Sequence, residues 1–73
     1  MNKQRRMKIN EALVLIDRAR GILEEARDEE QESFDNLPEG LQEGENGEQM
    51  QENIDALEEF LDNLEETDAL EEM

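Results

Sequence analysis

"MQENIDALEEFLDNL", Met50–Leu64, decides the fold. Its apolar residues Met50, Ile54, Leu57, Leu61 and Leu64 stand at intervals of 4, 3, 4 and 3, a stripe along one side of an α-helix that no strand alternation can produce. Asn46, with Gln49 three residues on, gives a capping-box-like start, and Glu48 suits the positive end of the helix dipole. These signals predict a helix over about 47–71. Past Leu64 the strict spacing meets Asp68 and Glu71, so contact is expected to pass to Ala69, Leu70 and Met73. Phe60 is expected to widen the stripe, and the last turn to fray.

Upstream, Ile9, Ala12, Ile16, Ala19, Leu23 and Ala26 repeat at 3, 4, 3, 4 and 3, with Leu13, Leu15 and Ile22 broadening the face. This predicts a first helix over about 3–33. Its alanines would let a neighbouring helix approach closely, and Gly21 either aids that approach or costs about 1 kcal/mol relative to alanine. Between the helices lies the connector 34–47, "FDNLPEGLQEGENG", which holds the only proline and three of the four glycines. Pro38 is expected to open a short helical turn with Asn36 or Leu37 near its cap, while Phe34, Leu37 and Leu41 fold back over the end of the core. Two long helices and a connector of this length predict an all-α fold: an antiparallel helical hairpin with a coiled-coil-like seam, formed by residues 1–73 as a single domain. The seam residues are Ile9, Ile16, Leu23, Ile54, Leu57, Leu61 and Leu64. Since 73 residues bury only a modest core, a homodimer is a natural supplement, a four-helix bundle formed through Ile16, Leu23, Leu57 and Leu64.

Charge is the second feature. The chain carries 23 acidic and 7 basic residues, a net −16. Every cation (Lys3, Arg5, Arg6, Lys8, Arg18, Arg20, Arg27) lies within the first 27 positions, and no basic residue follows Arg27. In the hairpin, the basic 3–8 segment is expected to lie alongside 65–72 and offset its acid, leaving Asp28–Asp62 uncompensated. On the second helix Glu48, Glu52, Asp55, Glu59, Asp62 and Glu66 repeat at 4, 3, 4, 3 and 4, a stripe that runs parallel to the apolar one. Like charges so placed cost about 0.2–0.5 kcal/mol per pair in an isolated helix, so the layout opposes folding unless packing or a partner compensates. The helix would carry roughly one carboxylate per 3.5 Å of rise, close to the phosphate spacing along one strand of B-DNA, about one per 3.4 Å.

Composition narrows the chemistry further. With no His, Cys, Tyr or Trp, the usual general bases, nucleophiles and zinc ligands are missing, and nothing predicts an apolar pocket that would split the pKa values of paired carboxylates. The reading is therefore of a protein that is not an enzyme and takes no cofactor or metal; "DEEQESFDN" lacks the glycine and ligand spacing of a calcium loop. The acidic balance excludes direct nucleic-acid binding and attraction to an anionic membrane. No apolar run is long enough to span a bilayer, and Met1–Lys8 lacks the apolar core of a leader, so the sequence reads as mature and soluble. The absence of cysteine fits a reducing cytoplasm.

The stretch "FDNLPEGLQEGENGEQMQENIDALEEFLDNLEE", with the opening "MNKQRRMKINEAL", resembles a recurrent type of small acidic protein carried by bacteriophages and related mobile elements. Phages produce small acidic inhibitors of host defence and DNA-processing enzymes, several of them DNA mimics. By association, the resemblance implies an inhibitor or modulator that occupies the basic nucleic-acid-binding cleft of a host protein. The residues expected to carry this are Glu48, Glu52, Asp55, Glu59 and Asp62, supported by Asp35, Glu39, Glu43 and Glu45 of the connector. The alternative is a structural or adaptor coiled coil whose acid serves only solubility.

Overall fold

A computed structural model describes residues 1–73. Four helices follow in order: α1 (Lys3–Asp35), α2 (Glu39–Gln42), α3 (Glu45–Glu65) and α4 (Asp68–Glu71). With 85% of the residues helical and no strand, the fold is all-α. Its extents are 58 × 15 × 13 Å, and its radius of gyration of 17.2 Å far exceeds the roughly 11 Å of a compact chain of this length. The molecule is a rod, and α1 sets its length.

Asn2 starts α1, its side-chain oxygen accepting from the Arg5 amide at 2.9 Å. No proline or closely packed glycine interrupts the next nine turns. Pro38 restricts Leu37 to extended backbone and so ends the run, two residues later than the expected 33. Pro38 is the cap of α2 and not its first residue; its carbonyl accepts from Leu41 and Gln42. The second long helix begins from Gly44, so Asn46 lies inside α3 and the expected capping box does not form. Glu45 and Glu48 occupy the first turn and complement the dipole.

α3 returns along α1: Asn53 donates to Glu30 at 3.3 Å, and at the other end Leu64 and Thr67, with the exposed Glu71 at the rim, line a small cleft with Leu13, Ile16, Asp17 and Arg20. Ile54 (1% exposed) and Leu61 (3%) are the only buried apolar side chains, while Met50, Leu57 and Leu64 are half-buried beside them. On α1 the shielded positions Ile9, Leu13, Ile16, Arg20, Leu23, Arg27, Glu30 and Phe34 form an unbroken 4, 3 alternation, with Glu24 and Gln31 half-buried beside it. The expected alanine line is therefore corrected. Ala12, Ala19 and Ala26 are exposed, as the larger Leu13 and Phe34 draw the contact one position along, and Arg20 and Arg27 are carried into it. Gly21 faces open space and serves no close approach.

The second expected helix is broken. Glu66 takes φ −83°, ψ 60°, an inverse γ-turn closed by the Thr67 amide on the Glu65 carbonyl at 2.9 Å. Uninterrupted spacing after Leu64 would press Asp68 and Glu71 against α1. The turn resets the register so that Thr67 and Leu70 are half-buried and Asp68 and Glu71 are exposed. Ala69, Met73 and Phe60 remain exposed, contrary to expectation.

At the connector, Gln42 closes the end where Leu41 was expected, Leu41 being 58% exposed. The Gln42 amide donates to the carbonyls of Phe34 (3.1 Å) and Leu37 (3.2 Å). Gly47 is buried under the Gln42 backbone, and a Cβ there would lie 2.6 Å from its carbonyl carbon.

Candidate partner-binding surface

The carboxylates Glu48, Glu52, Asp55, Glu59 and Asp62 fall within about 80° of arc on α3, on the side turned away from Ile54 and Leu61. The stripe therefore points away from α1, because burial of the apolar line fixes the rotation of the helix. All five are exposed, as are Asp35, Glu39, Glu43 and Glu45. Glu43 and Glu45 flank Gly44, so the connector acid continues into the stripe at the α2–α3 junction.

No cation meets this surface. The three ion pairs all lie within α1: Arg20 to Asp17 at 2.7 Å, Arg20 to Glu24 at 3.9 Å and Arg27 to Asp28 at 3.2 Å. Arg27 thus satisfies Asp28, which the sequence reading counted among the uncompensated acids. The only direct side-chain bonds in the candidate set come from neutral amides, Gln51 to Asp55 (3.1 Å) and Gln31 to Asp35 (2.9 Å). Nowhere do three carboxylates converge closely enough to hold a metal ion.

The expected offset of acid by Lys3–Lys8 is overturned. Leu64–Glu71 lies beside Leu13–Arg20, leaving the segment before Ile9 as an exposed overhang with Lys3, Arg5, Arg6 and Lys8 unpaired. The cause is the unequal length of the two arms: α1 has 33 residues, whereas α3 has 21 and then turns. Four of the seven cations are thus gathered at one tip, away from the uncompensated stripe along the side.

Sequence reasoning missed Arg20, Arg27, Gln42 and Gly47. The arginines could have been found by following Ile9, Leu13 and Ile16 on to Phe34; the contact between Gly47 and Gln42 had no local signal. No helix is long and apolar enough to cross a membrane. No protein-family model, curated protein or solved structure matches this chain.

Proposed function

We propose that this protein is an acidic inhibitor or modulator of phage or mobile-element type, which presents α3 and the α2–α3 junction to the basic nucleic-acid-binding surface of a host protein in the cytoplasm. One observation carries the reading: five exposed carboxylates on one side of a rigid helix, none paired with a cation. The eight carboxylates of the α3 sequence over a rise of about 31 Å make roughly one charge per 4 Å, near the linear density of a nucleic-acid strand. Such a rod draws a basic cleft by long-range attraction, so association is fast and weakens with salt. In this reading the two arms act as an antiparallel hairpin with a coiled-coil-like seam, which holds the stripe straight.

The test is capture from bacterial lysate at about 0.1 M salt and at several-fold higher salt, with and without duplex DNA as competitor. A nucleic-acid-processing protein should be retained at low salt and displaced by DNA. Binding that persists in a folded variant carrying Asp55→Lys, Glu59→Lys and Asp62→Lys overturns the proposal.

A second reading, a structural or adaptor homo-oligomer, is favoured by Met7, Val14, Leu15 and Ile22, apolar side chains 55–68% exposed on α1. Capture of the chain by itself alone, indifferent to salt and DNA, supports that reading.

A further inference from the structure

α1 has two faces, and only one is used within the molecule. The residues from Ile9 to Phe34 that meet α3 occupy one side. Met7, Glu11, Val14, Leu15, Arg18 and Ile22 occupy an arc of about 100° on the opposite side, all exposed. Scattered single apolar residues on a surface call for no explanation, but four large ones sharing one arc form a patch.

The order within that arc is symmetric. Read from either end, it runs apolar, charge, two apolars, charge, apolar, at gaps of 4, 3, 1, 3 and 4 residues. The charges are of opposite sign, Glu11 on one side of the midpoint and Arg18 on the other, and neither makes an ion pair within the chain. A helix with this pattern is complementary to itself turned end for end, which is the requirement of a two-fold interface.

From this symmetry we infer that the protein forms an antiparallel homodimer through the outer face of α1, centred between Val14 and Leu15. Met7 of each copy packs against Ile22 of the other, Val14 against Leu15, and Glu11 faces Arg18 twice. The same register sets Glu25 opposite Gln4 of the second copy, between its Lys3 and Lys8, so part of the overhanging basic tip finds acid there. Each α3 then lies on the far side of its own α1, which keeps the two acidic stripes as far apart as four parallel rods allow. Pairing through Ile16, Leu23, Leu57 and Leu64 would instead require residues already turned toward the partner helix within each copy. The two charge pairs between apolar neighbours fix register and direction more than they add affinity.

The test needs no other partner, so its outcome is independent of the proposed function. The full chain is examined by sedimentation equilibrium up to roughly 1 mM at about 0.15 M salt. A two-fold dimer is expected, with Val14→Glu plus Leu15→Glu raising its dissociation constant by about tenfold or more. Glu11→Arg alone and Arg18→Glu alone should each weaken the dimer by setting like charges face to face, and the two together should restore it. That restoration keeps the test valid even where the apolar variant loses helicity. Because the chain has no cysteine, an equimolar mixture of Met7→Cys and Ile22→Cys proteins treated with a short bis-maleimide should give the mixed crosslink in preference to either self-crosslink. A chain monomeric to 1 mM, a dimer indifferent to the Val14 and Leu15 changes, failure of the double charge swap to restore pairing, or dominant self-crosslinking at position 7 each overturns the inference.

Discussion

Gln42 does the work of a cation. The last turn of α1 contains no basic residue, and Glu32 and Asp35 place negative charge at the negative end of its dipole. The Gln42 side chain reaches back eight residues and donates to the Phe34 carbonyl, which also accepts from the Leu37 amide, and to the Leu37 carbonyl just past the helix end. Gln42→Glu has nearly the same shape but turns the donor into an anion facing two acceptors. It should lower stability by about 1–3 kcal/mol, read as a fall in the midpoint of urea unfolding followed by circular dichroism; an unchanged midpoint shows that the bracket contributes nothing. The neighbouring glycines separate two meanings of one residue type. At Gly47 a Cβ would meet the Gln42 carbonyl carbon at 2.6 Å and Cα at 2.7 Å, whereas at Gly21 it meets nothing within 4 Å. Gly21→Ala should therefore stabilise by about 0.5–1 kcal/mol through helix propensity, raising Tm by roughly 4 °C. Gly47→Ala should destabilise by about 1–3 kcal/mol despite the same propensity gain. Shifts of the same sign at both sites would mean that the α2–α3 junction yields to accommodate the methyl group.

At the scale of elements, periodicity was legible and its breaks were not. The 4, 3 spacing of Met50–Leu64 gave the buried side of α3, with Ile54 and Leu61 at its centre. On α1 two lines of equal regularity competed, Ile9–Ala12–Ile16 and Ile9–Leu13–Ile16, and spacing alone does not rank them; burying larger side chains does. The turn at Glu66 escaped reading because it contains neither Gly nor Pro. It forms because the alternative is to bury Asp68 and Glu71, a cost decided by the helix opposite and absent from any local window. The acidic stripe and its lack of counter-charge were legible from spacing and from the absence of any cation after Arg27, whereas the overhang of Lys3–Lys8 depended on the unequal lengths of the two arms. Arg20 shows what the winning line costs. It lines the cleft with Leu13, Ile16 and Leu64, its side chain 35% exposed, and its pairs with Asp17 and Glu24 are partly open to water, where such pairs are worth about 0–1 kcal/mol. Arg20→Leu exchanges those pairs for apolar contact along the line and should raise Tm by several degrees, on the order of 1 kcal/mol. A fall in Tm would show that the Asp17–Arg20–Glu24 group holds α1 together more strongly than packing can.

The molecule as a whole is a weak core under a strong field. Two buried apolar side chains hold arms that bear a net −16, and none of the five stripe carboxylates meets a cation. Repulsion along α3, at about 0.2–0.5 kcal/mol per i, i+4 pair, is comparable with the few kcal/mol that so small a core can supply. Salt should therefore stabilise the protein by screening that repulsion, although it weakens the proposed contact with a basic cleft. Raising salt from about 0.02 M, where the Debye length exceeds 20 Å, to about 0.5 M should raise Tm measurably. The triple change Glu52→Gln, Asp55→Asn and Glu59→Gln should raise Tm at low salt, with the advantage shrinking at high salt, where screening already supplies it. The same triple change should weaken capture of the DNA-displaceable partner at low salt. Stability and binding are then opposed at the same three residues, as expected where a surface is kept charged for a partner at the expense of the fold. If neither salt nor the triple change moves Tm, the stripe does not strain the fold, and self-repulsion no longer argues that α3 is shaped for a partner.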